Sequence, residues 1–179
     1  MRWFWIDRYT EFVCDSHAIA VKGVSLAEEH LHDHLPYYPI MPNSLVTEGM
    51  AQAGGLLVSE KYRFQELVVL GKLAKVKFHT CVRPGETLTY RVEVESVRSD
   101  GAAISATAHV DDRLHAEALM FYARLGDADG GLLNKQLFRL SDLQHWLNLV
   151  RVFEVGVHAD GSRMRPEDYP LGEECSSAV

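Results

Sequence analysis

The feature that most constrains the fold is residues 43–60, which have a helical pattern and are apolar on nearly every side. A helix of that kind must be buried. It also contains Gly49, Gly54 and Gly55, although glycine inside a helix costs about 1 kcal/mol relative to alanine. Three such glycines indicate that other parts of the chain wrap closely around this helix. Pro42 ends any helix upstream, and Asn43 or Ser44 is predicted to cap this one.

The segments on both sides of this helix have the patterns of β-strands. They are rich in aromatic and β-branched residues or alternate apolar with polar positions, and turn signals such as Asp100-Gly101 separate them. The predicted strands cover residues 3–13, 17–24, 67–76, 87–97, 102–110 and 114–125, with a short helical turn at 26–31. A long antiparallel sheet of this kind curls, and one apolar helix fits its concave face. The pattern therefore predicts an α+β fold with a curled sheet around one central helix.

The chain is predicted to have two parts, a domain over residues 1–125 and an appended segment over residues 126–179. The appended segment begins with a glycine-rich linker at 126–131 and ends in a frayed tail from residue 173. Between them, Ser141 to Gln144 form a capping box, and an amphipathic helix follows. Its apolar positions are Leu143, Trp146, Leu147 and Val150. That face must dock, either as a structural cap or oligomer contact, which we favour, or as a lid over substrate.

Composition excludes several classes of protein. The net charge of −7 argues against broad binding to nucleic acid or to an anionic membrane, because phosphate partners need a positive field. Three cysteines without Cys-x-x-Cys spacing predict reduced thiols rather than disulfides or a zinc site. No apolar run is long enough to cross a bilayer, and the first residues lack the layout of a signal peptide, so we expect a cytoplasmic protein.

The residues suited to chemistry cluster at positions 34–52. His34 precedes a loop stiffened by three prolines, and Glu48 follows it by fourteen positions on the apolar helix. Gln52 lies four residues after Glu48 on the same helical face, where it is placed to orient the carboxyl group.

This segment reads His-Leu-Pro-Tyr-Tyr-Pro-Ile-Met-Pro-Asn, followed by a helix with Glu48 and then Ala-Gln. It resembles the hotdog-fold 3-hydroxyacyl-acyl-carrier-protein dehydratases, specifically the simple dehydratase branch with glutamate on the central helix. A second match, residues 75–88 with Val-Arg-Pro-Gly-Glu-Thr-Leu, resembles a strand and turn of the same family. The resemblance covers about residues 1–125.

The resemblance implies a catalytic pair for removing water from a 3-hydroxyacyl thioester on acyl carrier protein or coenzyme A. Neutral His34 would be the base at C2. Glu48, kept protonated by desolvation on the buried helix, would be the acid at the C3 hydroxyl. The first N–H groups of the helix would polarise the thioester carbonyl. The residues expected to bind substrate are Asn43, Ser44, Tyr37, Gln52 and Phe78.

The resemblance further implies a homodimer, or a trimer of dimers, in which the histidine and the carboxylate meet across the subunit interface. No metal or organic cofactor is expected, and we interpret His30 and His32 as solvent-exposed rather than as ligands. The basic residues of 60–83 outnumber the acidic ones. They are interpreted either as a solvated face or as a docking surface for an acidic carrier protein.

Two departures from the family pattern bear on activity, because Tyr37 and Asn43 occupy positions where the family has glycine. Glycine at such positions indicates a positive φ angle or close approach of substrate. Asparagine tolerates left-handed geometry, whereas tyrosine there would narrow the acyl tunnel, supply a hydroxyl donor or accompany loss of activity. Two alternatives therefore stay open: a hotdog thioesterase in which Glu48 activates water, and an inactive acyl-binding or scaffold subunit.

Overall fold

The computed structural model describes residues 4–125 and 140–171. Two strands, β1 (Arg8–Val13) and β2 (His17–Gly23), precede the short helix α1 (His30–Asp33) and the long helix α2 (Asn43–Lys61). Four strands follow: β3 (Leu67–Phe78), β4 (Thr87–Arg98), β5 (Gly101–Val110) and β6 (Arg113–Leu125). The chain then forms α3 (Leu140–Leu149), α4 (Val152–Val155), β7 (Gly156–Val157) and a 3-10 turn at Pro166–Asp168.

The seven strands form one sheet in the order β3-β6-β5-β4-β2-β1-β7. Every neighbouring pair is antiparallel except β1 and β7, which run parallel. Helix α2 packs on one face of this sheet and contacts β2, β3, β4, β5 and β6. The predicted curled sheet around one central helix is therefore confirmed.

The glycines of α2 lie where tyrosine side chains of the sheet approach the helix. A Cβ atom added at Gly49 would lie 2.5 Å from the ring and hydroxyl of Tyr90, which is fully buried. A Cβ atom added at Gly54 would lie 2.9 Å from the hydroxyl of Tyr122. That hydroxyl donates a hydrogen bond to the Ala51 carbonyl at 2.8 Å, inside the helix. The predicted close contact thus comes from aromatic side chains of β4 and β6.

The appended segment docks against the β1 side of the sheet. The backbone N–H of Tyr9 donates to the carbonyl of Val150 at 2.8 Å, and β7 pairs with Phe12 and Val13 of β1. Leu147 and Val150 are almost completely buried, which confirms that the apolar face of this helix is docked. The division at residue 125 stays a prediction, and the predicted linker and tail lie outside the described residues.

A buried carboxyl group joins α2 to the end of the described chain. Glu60 is 7% exposed and accepts a hydrogen bond from the hydroxyl of Tyr169 at 2.7 Å. Cys14 lies beside the same carboxyl group, and burial, reinforced by the charge of Glu60, raises the pKa of its thiol to about 12. Burial likewise raises the pKa of Tyr169 far above its ordinary value. The thiol and phenol therefore stay protonated and act as hydrogen-bond donors.

Three local predictions are corrected. Of the predicted first strand, described residues 4–7 are not strand, and β1 begins at Arg8. The Trp5 side chain is buried and packs edge-on against His30, with 5.1 Å between ring centroids. The helical turn predicted at 26–31 is instead the helix at His30–Asp33. Pro42 is the N-cap residue of α2, with no side-chain cap, so neither Asn43 nor Ser44 caps it.

Within the described ranges, no helix is both long and apolar enough to span a bilayer.

Candidate active site

His34 lies at the C-terminal end of α1, where its backbone N–H donates to the carbonyl of His30 at 3.2 Å. Its side chain is exposed in the single chain. His30, one turn earlier, is partly buried and not solvent-exposed as predicted, because it packs on Trp5. Burial lowers the pKa of its imidazole. A neutral His30 imposes no positive charge on the imidazole that is expected to accept the substrate proton.

The loop after His34 is held at two points. The Met41 N–H donates to the carbonyl of Val82 at 2.8 Å, and the guanidinium of Arg83 donates to the hydroxyl of Tyr38 at 3.2 Å. Tyr37 has a φ of +67°, a left-handed conformation that favours glycine. The structure thus explains why glycine fits this position, while the tyrosine side chain itself projects fully into solvent.

Helix α2 begins directly after this loop, with Asn43 as its first residue. Asn43 is helical and is not among the residues with positive φ, so glycine is not required there for conformational reasons. The hydroxyl of Thr47 donates to the Asn43 carbonyl at 2.9 Å. The N–H groups of a first helical turn have no partner within the helix and carry the positive end of its dipole. The backbones of Asn43 and Ser44 are therefore suited to binding an oxygen that gains negative charge.

Glu48 is held by a relay of two hydrogen bonds. The Trp5 backbone N–H donates to Oε1 of Gln52 at 2.8 Å, which leaves the amide nitrogen of Gln52 to donate to Oε1 of Glu48 at 3.0 Å. The predicted contact between Gln52 and Glu48 is thus present. The hydrogen bond to Oε1 fixes the orientation of the Glu48 carboxyl group.

Glu48 faces an apolar groove of about 350 Å³ rather than the core. Its side chain is exposed in the single chain, which corrects the prediction that it is enclosed among Val46 and Met50. Those two side chains point inward and are completely buried. Burial, and to a smaller extent the charge of Glu48, raise the pKa of Tyr122 well above its ordinary value, so its phenol stays neutral beside the groove.

The single chain brings together only some of the predicted site residues. Glu48 and Gln52 line the groove, whereas His34 and Phe78 do not. Phe78 lies at the end of β3, with its ring 5.8 Å from that of His115. A substrate-binding role for Phe78 therefore stays a prediction.

The sequence analysis missed several residues that shape the groove. Phe4, Tyr122, Leu143 and Trp146 line it, and Trp5 fixes Gln52. Aromatic character was the local signal at Phe4, Trp5 and Tyr122, and the amphipathic pattern was the signal at Leu143 and Trp146. Neither signal reveals which residues are neighbours, because each of these residues lies far along the chain from Glu48.

The chain is similar to proteins of one family. The FabA-like domain model matches residues 4–119. The 3-hydroxyacyl-[acyl-carrier-protein] dehydratase FabZ of Campylobacter curvus is 37% identical over 120 residues, covering 63% of this chain and 81% of the relative. The FabZ of Streptococcus pyogenes is 35% identical over 119 residues, covering 66% of this chain and 85% of the relative.

Solved structures share the fold at low identity. A Streptococcus mutans protein bound to acetyl CoA has a TM-score of 0.58 at 16% identity, covering 70% of this chain and 94% of that one. The dehydratase heterocomplex ApeI:P of Xenorhabdus doucetiae has a TM-score of 0.58 at 16% identity, covering 70% of this chain and 85% of that one. These two likenesses concern the hotdog architecture alone.

Proposed function

The chain belongs to the FabA-like family, and from this membership we propose that it dehydrates 3-hydroxyacyl thioesters on acyl carrier protein with His34 and Glu48 as its acid–base pair. The observation that carries the assignment of roles is the relay from Trp5 through Gln52, which holds Glu48 at an apolar groove. The reaction is that of fatty-acid biosynthesis, to which the FabZ relatives belong.

The reaction can be written with every proton placed. His34 takes a proton from C2 of the substrate, and charge moves onto the thioester oxygen, where the first N–H groups of α2 bind it. The C3–O bond then breaks as the Glu48 carboxyl group gives its proton to the leaving hydroxyl. Water departs and a trans C2–C3 double bond forms. Transfer of the proton from His34 back to Glu48, directly or through water, restores the starting state.

The pair is tested by turnover of a short 3-hydroxyacyl thioester and by hydration of the matching trans-2-enoyl thioester. His34→Ala and Glu48→Gln should each lose activity by more than about a hundredfold, as expected for loss of a general acid or base. Matched controls are His32→Ala, two residues before His34 on an exposed position, and Glu95→Gln on β4. Wild-type protein that is inert on several chain lengths would refute dehydration, and release of free thiol would instead support a thioesterase.

The active unit is proposed to be a homodimer formed through β3. This twelve-residue strand is the outermost strand on one side of the sheet, so one row of its backbone groups faces away from β6. Exposed apolar side chains lie along the same region, at Leu70, Leu73 and Phe121. Long edge strands with exposed apolar residues are templates for pairing with another chain. A partner there would cover the groove and shield Glu48 from water.

Complementation tests whether the two catalytic residues meet across subunits. Dimers that contain one His34→Ala chain and one Glu48→Gln chain would then hold one intact site. Co-expression of the two variants should therefore restore about a quarter of wild-type activity, because half of the dimers are mixed and each has one of its two sites intact. No recovery in a mixture shown to contain mixed dimers would contradict the shared site.

The acidic carrier protein is proposed to dock near the loop that follows His34. Of the basic residues in 60–83, Lys61 pairs with Asp15 and Arg63 donates to the carbonyl of Asp168, so both are engaged with the chain itself. Arg83 is exposed and contacts Tyr38 within the loop. Arg83→Glu should raise KM for a carrier-protein substrate and leave KM for the coenzyme A analogue unchanged. Equal effects on both would argue against carrier docking at this residue.

A further inference from the structure

Helix α3 lies beyond residue 119, where the family match ends, yet two of its side chains line the groove that contains Glu48. These are Leu143 and Trp146, one turn apart on α3. The appended helix therefore contributes to the wall of the candidate active site itself.

This wall is fixed rather than loosely placed. Leu147 and Val150 follow directly and are 0% and 1% exposed, and the carbonyl of Val150 accepts a hydrogen bond from the Tyr9 backbone at 2.8 Å. The indole of Trp146 packs against the ring of Phe4 with 5.4 Å between centroids. A side chain anchored on both sides in this way can define the width of a groove.

The other boundaries of the groove come from α2 and from the sheet. Residues from Glu48 to Ser59 form a stripe along α2 that includes the small residues Ala51 and Gly55. At a rise of about 1.5 Å per residue this stripe is about 16 Å long. An extended carbon chain with bonds near 1.5 Å and angles near 111° advances about 1.25 Å per bond. The stripe therefore matches an acyl chain of roughly a dozen carbons.

We propose that α3 is a specificity element, in which Leu143 and Trp146 contact the distal part of a medium-length acyl chain whose C3 hydroxyl lies at Glu48. This inference rests on the proposed function for the position of the reacting carbons. The lining supports an aliphatic occupant, because most of it is apolar and, among the residues that the structure describes, Glu48 and Glu66 are its charged members. It follows from this proposal that a short acyl chain bound at Glu48 does not contact Leu143 and Trp146.

The test compares kcat/KM for 3-hydroxybutyryl and 3-hydroxydodecanoyl thioesters in Trp146→Ala and Leu143→Trp. The first variant removes contact area and the second fills the groove, so both should lower the value for the long substrate by at least about tenfold, the low end of what a methylene or two contributes in an apolar pocket. The short substrate serves as the internal reference, so the ratio of the long-substrate to the short-substrate kcat/KM should fall by a similar factor. Leu149→Ala is the matched control, because Leu149 lies on the same helix, is 54% exposed and does not line the groove.

The outcomes separate this inference from the proposed function. An equal change in kcat/KM for both substrates, or no change in either, would overturn the role of α3. A higher kcat/KM for the long substrate in Trp146→Ala would overturn it as well. Titration calorimetry with saturated dodecanoyl thioester, which has no hydroxyl to eliminate, gives a readout independent of turnover. Weaker binding in both variants is expected, and unchanged binding would overturn the proposal. If the wild-type protein turns over none of these substrates, the proposed function is refuted, and the calorimetric binding result can still be interpreted.

Discussion

The substitution Gly49→Ala tests the closest contact between the central helix and the sheet. The added Cβ would lie 2.5 Å from Cζ and from the hydroxyl oxygen of Tyr90, and 2.8 Å from Cε2. Ordinary contact begins at 3.4 Å, so the phenol would have to move by nearly 1 Å. Tyr90 is 0% exposed, so protein atoms surround its rigid ring and it does not border solvent.

The expected magnitude follows from two opposing effects. Overpacking of a well-packed core costs about 1–3 kcal/mol. Replacing glycine by alanine inside a helix returns about 1 kcal/mol. Because the clash is with a rigid, fully buried ring, we expect the upper part of this range, a net loss of about 1–2 kcal/mol of unfolding free energy.

Gly55→Ala is the matched control on the same helix. Its Cβ would lie 3.4 Å from Tyr122, which is ordinary contact, so helix propensity should dominate and stabilise the protein by up to about 1 kcal/mol. The assay is urea and thermal unfolding at one fixed protein concentration, since association shifts apparent stability. Each kcal/mol corresponds to about 2–4 °C in Tm for a chain of this size. If Gly49→Ala proves as stable as Gly55→Ala, the argument from this close contact is wrong.

Three further predictions concern buried polar groups. Tyr169→Phe should cost about 1–3 kcal/mol in urea unfolding, because it leaves the Glu60 carboxyl group without its phenol donor; stability equal to wild type would show that water replaces the phenol. Iodoacetamide labelling at pH 8, read out by peptide mapping, should modify exposed Cys81 and spare Cys14. Burial blocks access to Cys14, and its thiol pKa of about 12 keeps it protonated. Comparable labelling of both cysteines would contradict this burial. Burial lowers the pKa of His115, so its contribution to stability is complete above the unfolded value near 6.5 and is lost as pH falls through the lower folded value. When the unfolding free energy is measured by urea denaturation across this pH range, His115→Phe should lose less stability toward acid than wild type. An equal loss in both proteins would exclude His115 as the source.

The sequence predicts those parts of the fold that depend on local periodicity. The alternation at residues 87–97 and the apolar run at 43–60 each predict one element correctly, and the glycines of α2 correctly indicate close contact. Strand β7 has only two residues and exists because β1 lies beside it, so no local pattern could reveal it.

In the candidate site, too, local spacing predicts some features, and contacts between distant parts of the chain decide the others. The spacing of Glu48 and Gln52 predicts their contact, because four residues on a helix place two side chains on one face. The exposure of Glu48 could not be predicted, since it depends on which side of an all-round apolar helix the sheet covers. The role of the Trp5 backbone was also inaccessible, because a backbone N–H leaves no mark in the residue types.

The docking of the appended segment on β1 has a consequence for assembly. A sheet has two outer strands, and pairing through both would let copies add without end into a filament. Here β7, and the bond from Tyr9 to Val150, occupy backbone groups on the outer side of β1. Of the two outer strands that the structure describes, β3 with twelve residues is much longer than β7 with two. The appended segment thus leaves less of the outer edge of β1 open to pairing with another strand.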